Sequence, residues 1–124
     1  MRLEKAEESL QAAESCLALS RFNSCASRCY YAMFQAAVVA LEAAGFRRDI
    51  WRHAALQATF TNELIHRRKS YPRQLAAYLS QALYWRNIAD YGETDISQRR
   101  AGQLVEWAKA FVSKVMEVTG YERR

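Results

Sequence analysis

Ser27-Arg28-Cys29-Tyr30-Tyr31-Ala32-Met33-Phe34 is the stretch whose reading decides the fold. It lies in a proline-free run from near Phe22 to Ala44. Phe22, Cys25, Cys29, Tyr30, Met33, Ala37, Leu41 and Ala44 recur at steps of three and four, the helical period. Gly45 follows, a residue that accepts the left-handed conformation common just past a helix end. Tyr30, Met33 and Phe34 fill space, while Ala32, Ala36 and Ala37 let a neighbouring helix come close. A helix of this kind is covered on most sides and belongs in the middle of a bundle.

Helical patterns continue on both sides of it. Leu3, Ala6, Leu10, Ala13 and Leu17 make an apolar stripe from about Leu3 to Leu19, with Glu4, Glu7, Glu8 and Glu14 off it. A short link follows, with Ser20 expected as the N-cap of the second helix, so these two helices are antiparallel neighbours. Asp49 is expected to cap a third helix from about Ile50 to Ile65. Its stripe (Trp51, Ala54 or Ala55, Ala58, Thr61 or Asn62, Ile65) is irregular and predicts a kink or break around residues 59–62. Pro72 suits the first turn of a fourth helix that runs to about Ala89, with Leu75, Leu79, Ala82, Leu83, Arg86 and Ala89 facing one way. Asp95 is expected to cap a fifth, with Gln98 three residues on in a capping-box spacing; that helix stops near Gly120. Nothing reads as a strand, a linker or a repeat. The expected fold is all-α: an antiparallel up-and-down bundle of four to five helices forming one domain over residues 1–124.

The composition agrees with a globular chain that can bury a core. Four Gly and one Pro in 124 residues leave few turns for an all-β fold. Charges interrupt every apolar run, so no membrane span and no membrane partner is expected. The acidic, amphipathic start is unlike a signal peptide, and a cytoplasmic location is expected. Cys16, Cys25 and Cys29 sit among apolar residues and read as buried reduced thiols. His53 and His66 are the two histidines, there is no CxxC, and neither metal nor cofactor is expected.

The formal charge of +5 is local. Residues 47–73 hold seven basic groups (Arg47, Arg48, Arg52, Arg67, Arg68, Lys69, Arg73) against Asp49 and Glu63. A patch like this attracts phosphate or an acidic partner; a solvated helix face is the plainer reading. Gly-rich phosphate loops, HExxH and GxSxG are absent. What remains are polar residues on otherwise apolar stripes: Arg28, Arg86 and Asp90, with Tyr30, Tyr31 and Tyr91 beside them. Asp90 lies one turn after Arg86 and is within reach of it. The pair is either structural, with Tyr30 or Tyr31 joined to it, or Arg86 faces a phosphate with Tyr91 alongside.

Residues 27–34 resemble the SRxYYAMF signature of HEPN domains. Arg86-Asn87-Ile88-Ala89-Asp90-Tyr91-Gly92 resembles the RxxADY segment of one branch of that family. Ala108 with Phe111-Val112 resembles a third block, and His53 followed by Phe60 a fourth. The resemblance spans about residues 3–118. It implies an all-α bundle, a homodimer, and in many members a minimal nucleotidyltransferase partner in a toxin–antitoxin pair. Active members are implied to be metal-independent endoribonucleases. Their Arg-x(4–6)-His motif lies at the dimer interface, the His serving as acid or base and the Arg stabilising charge on the phosphate. In some pairs the partner adenylylates a Tyr just after that His.

This chain departs from the motif. Arg86 matches its arginine, but positions 91–93 are Tyr91, Gly92 and Glu93. The string recurs at Arg48–His53, away from the family's place for it. Loss of the His removes the side chain that titrates near neutrality. Three functions stay open at this stage. One is a nucleotide- or RNA-binding component of a nucleotidyltransferase pair. Another is a ribonuclease using Arg86, Asp90 and Tyr91 as catalytic candidates, with Asp90, Tyr91 or His53 replacing the missing His. The last is an interaction module without a ligand. Arg28, Tyr31, Arg47, Arg48, Arg52 and His53 are the ligand-binding candidates. Trp51, Tyr84, Trp85 and Trp107 are more large rings than one small core readily covers, which points to self-association.

Overall fold

A computed structural model of the chain describes residues 3–121; Met1 and Arg2, which open the acidic start, lie outside them. The described chain forms α1 (Leu3–Ala18), α2 (Phe22–Ala43), α3 (His53–Thr59) continued by a π-helical segment (Phe60–Arg67), α4 (Gln74–Tyr91) and α5 (Gln98–Thr119). The fold is an all-α bundle. Eleven of the twenty-two residues of α2 are buried, because α1, α4 and α5 all pack on it. Its alternation of rings and alanines is what permits three neighbours.

Side-chain pairings fix the directions. Asn23, at the start of α2, accepts from the Ile96 N–H at 2.9 Å and donates to Asp95 at 3.1 Å, just ahead of α5. At the other end, Ala40, Ala43 and Ala44 share a groove with Val118 and Thr119. The helices α2 and α5 therefore run parallel. The helix α1 turns straight back into α2 and pairs Glu14 with Lys109 of α5 at 3.5 Å. Tyr71, ahead of α4, lines the groove beside Ala40, whereas Arg86, near the end of α4, meets Tyr31. The four long helices thus alternate up and down. Residues 44–52 run back along α2, so that α3 starts beside Tyr30 and points the same way as α2.

The helix ends correct several expectations. Ser20 is not an N-cap: it sits at φ 58° and closes α1, its N–H bonded to Leu17 and that of Arg21 to Cys16. This is the same left-handed closure that Gly45 makes after α2 at φ 97°. The third helix begins at His53 rather than Ile50, and Asp49 lies outside it in the connection. Its buried face is Leu56, Phe60, Leu64 and Ile65, while Ala54 and Ala58 are exposed. Steps of four drift around an α-helix by about 40° each. The change to wider π winding at Phe60, inside the expected break, brings the stripe back. Phe60 then stacks on Phe111 at 5.4 Å and meets Tyr71 at 5.3 Å. Pro72 precedes α4 rather than opening it. The cap of α5 is Ser97, whose Oγ accepts from the Arg100 N–H at 3.1 Å; Asp95 is drawn away by Asn23.

Candidate functional site

The helix α4 runs past α2 so that its last turns face the aromatic middle of the quoted stretch. Arg86 is half-buried there, with 14% of its side chain exposed. Its Nη2 donates to the Tyr31 hydroxyl at 2.9 Å, and Nη1 donates to Asn87 Oδ1 at 3.3 Å. Nε stands 3.0 Å from Asp90 Oδ2, yet its hydrogen is not aimed at an acceptor. The Asp90 contact is therefore an ion pair rather than an aligned hydrogen bond. The guanidinium carbon lies 5.4 Å from the Tyr31 ring centre and 5.8 Å from that of Tyr91, within cation–π range. Arg86 is thus oriented by a carboxylate, a phenol and two rings, and part of its edge stays open.

Tyr30, the preceding residue of α2, turns to α3 instead. Its hydroxyl pairs with His53 Nδ1 at 2.5 Å, and the His53 ring packs on Tyr30 and edge-on to Phe34. Burial holds His53 below the ordinary imidazole value, and the Arg86 charge adds to the effect. Burial pushes the Tyr30 phenol up, with Arg86 acting weakly against it. Tyr30 and Tyr31 sit edge to face at 5.7 Å. The result is one cluster from three helices: His53 from α3, Tyr30 and Tyr31 from α2, and Arg86, Asp90 and Tyr91 from α4.

Six of the residues singled out in the sequence stand apart or together as follows. Tyr31 and His53 are in the cluster. Arg28 is exposed and not on a buried stripe, because the apolar face of α2 passes through Cys25, Cys29 and Tyr30 instead. Arg47 and Arg48 border an open hollow with Glu42 and Asp49, and Arg48 lies 4.5 Å over the Trp51 ring. Arg52 is exposed immediately before His53. The Arg48–His53 string therefore splits: its His joins Arg86, and its Arg does not. Of the two tyrosines the sequence offered as partners of Arg86, Tyr31 takes that place and Tyr30 pairs with His53 instead; that choice follows from the returning 44–52 connection, which has no sequence signature.

Gly92 explains one departure from the motif. A Cβ there would lie 2.7 Å from the Ile88 carbonyl oxygen, so a His at that position would collide with backbone. Tyr91 is 76% exposed and unconstrained in this way.

The family model of the HEPN domain matches residues 1–118. The chain belongs to the HEPN family. No curated protein matches it. In this HEPN domain the described residues contain no group of three His, Cys, Asp or Glu placed to hold a metal ion. None of its described helices is long and apolar enough to cross a membrane. Cys25 and Cys29 are buried, Cys16 is half-buried, and all three are free thiols. Of the four large rings noted in the sequence, Trp51 is buried and Trp107 stacks on Tyr78 at 5.0 Å. Trp85 lies under Arg100 at 4.3 Å, leaving Tyr84 as the well-exposed one.

Proposed function

We propose that this HEPN domain is the nucleotide- or RNA-binding component of a pair with a minimal nucleotidyltransferase, and that it binds phosphate through Arg86 without carrying out standard ribonuclease chemistry. The carrying observation is the Arg86 guanidinium, held by Tyr31 and Asp90 beside the exposed Tyr91 ring. A planar guanidinium fixed in advance loses little freedom on meeting a phosphate, and its charge-assisted contact is among the stronger hydrogen bonds. An adjacent exposed ring suits a base attached to that phosphate. Arg52, next to His53, adds positive charge nearby. The pairing with a nucleotidyltransferase and the homodimer rest on family membership; exposed Tyr84 on α4 supports the latter.

Binding is favoured over cleavage by the state of the substitutes for the missing His. Asp90 is engaged as the counter-ion of Arg86. Tyr91 is a phenol at an exposed helix end, with no neighbouring base placed to take its proton among the interactions described for it. His53 has its Nδ1 occupied by Tyr30. The test is anisotropy of a labelled single-stranded 12-mer RNA at two salt concentrations, with an EDTA-containing gel on the same RNA. Binding that drops at least tenfold in Arg86→Ala, with intact RNA in the gel, is the expected result. Equal binding by wild type and Arg86→Ala would refute the reading, and RNA cut by wild type but not by Arg86→Ala would turn it into a nuclease.

A further inference from the structure

Tyr30 is fully buried, and its hydroxyl has one hydrogen-bond partner among the described residues, His53 Nδ1. That hydroxyl hydrogen needs an acceptor. If Nδ1 carried a hydrogen, it would donate to the phenol oxygen, and the buried Tyr30 O–H would be left without an acceptor, a costly arrangement. The pairing therefore assigns the tautomer: Tyr30 O–H donates, Nδ1 accepts, and the ring hydrogen is on Nε2. Among the described residues Nε2 has no partner, and it is not among the buried unsatisfied atoms, so it is open to solvent.

From this geometry we infer that Tyr30 is a positioning residue that locks His53 into presenting Nε2–H to the Arg86 site, so that His53 acts there as a hydrogen-bond donor and not as a proton acceptor. The inference rests on the phosphate-binding reading for what the donor meets, and on the Tyr30 contact alone for the tautomer. It reverses the role expected of a histidine beside a phosphate-binding arginine. The lone pair that a general base would use is held at Nδ1 by a phenol, and the exposed nitrogen has only a hydrogen to offer. Such a donor suits an acceptor-rich ligand edge, a phosphate oxygen or a base carbonyl. The groups facing His53 are consistent with the neutral ring: Tyr30 and Phe34 from α2 give it no counter-charge, and Arg86 from α4 opposes a second positive charge.

The test is long-range ¹H–¹⁵N correlation of the histidine rings in the full chain at pH 7.5, with exposed His66 as internal reference. His53 is expected to show the pure Nε2–H pattern in wild type and a mixture in Tyr30→Phe. A wild-type ring that carries its hydrogen on Nδ1, or is doubly protonated, overturns the inference, as does a Tyr30→Phe pattern identical to wild type. The binding arm uses the 12-mer RNA. One neutral hydrogen bond corresponds to a loss of about 3–10-fold in His53→Phe, and unchanged RNA affinity there removes His53 from the site. If neither wild type nor any variant binds RNA, the phosphate-binding reading fails, while the ring spectrum still decides the tautomer.

Discussion

Arg86 of α4 donates through Nη2 to the hydroxyl of Tyr31, near the middle of α2, at 2.9 Å. That contact joins the two segments by which the sequence resembles its family. It also orients the guanidinium, since Tyr31 holds one end and Asp90 stands by the other.

Removal of the oriented charge should affect binding more than folding. The Asp90 side chain is 30% exposed, so water takes over part of what Arg86 provided. Arg86→Ala is expected to cost about 1–2 kcal/mol of stability, well under the cost of orphaning a buried ion. Arg86→Lys keeps charge but cannot reach Tyr31 and Asp90 together, and should lose most of the RNA affinity. Urea unfolding and anisotropy on the same preparations check both; a loss above about 4 kcal/mol would make the arginine a structural ion-pair member.

Gly92 should resist any side chain. Its missing Cβ would sit 2.7 Å from the Ile88 oxygen, which is backbone and cannot swing aside. Gly92→Ala is expected to cost about 1–3 kcal/mol, whereas Tyr91→His, at an exposed position, should change the melting temperature little. Equal melting temperatures for Gly92→Ala and wild type would show that the end of α4 relaxes freely.

Stability should carry the imprint of His53. Its folded-state pKa is depressed, first by burial and then by Arg86, so the unfolded chain takes up the proton first as pH falls. The neutral ring's contribution is complete above the ordinary value of 6.5 and is lost as pH drops from there towards the lower folded-state value. Comparing wild type with His53→Asn at pH 7.5 and 5.5 isolates this from the carboxylates. Wild type should lose more stability than the variant over that interval; equal losses would mean that His53 titrates alike in both states.

The bundle was legible because α1, α2, α4 and α5 keep regular stripes, and periodicity reports burial directly. The third helix was not, because its apolar residues at four-residue steps fit neither period until the winding widens at Phe60. Caps misplaced by one to three residues, at Ser20, Asp49 and Asp95, share one cause: a short polar side chain signals a helix end without saying which partner claims it. Ser20 takes the left-handed turn and Asn23 takes Asp95. Within the site, Arg86, Asp90, Tyr91 and Tyr31 followed from spacing along single helices. The convergence of His53 on them depends on a connection that doubles back, and no local pattern encodes such a return.

The most direct test of phosphate binding by Arg86 reads the guanidinium itself. The ¹H–¹⁵N signal of Arg86 Nε, assigned by its disappearance in Arg86→Lys, is followed while the 12-mer RNA is added to ¹⁵N-labelled protein. A saturating shift of that signal at the affinity measured by anisotropy is the expected result. A signal that stays in place while RNA binds elsewhere on the surface would contradict it.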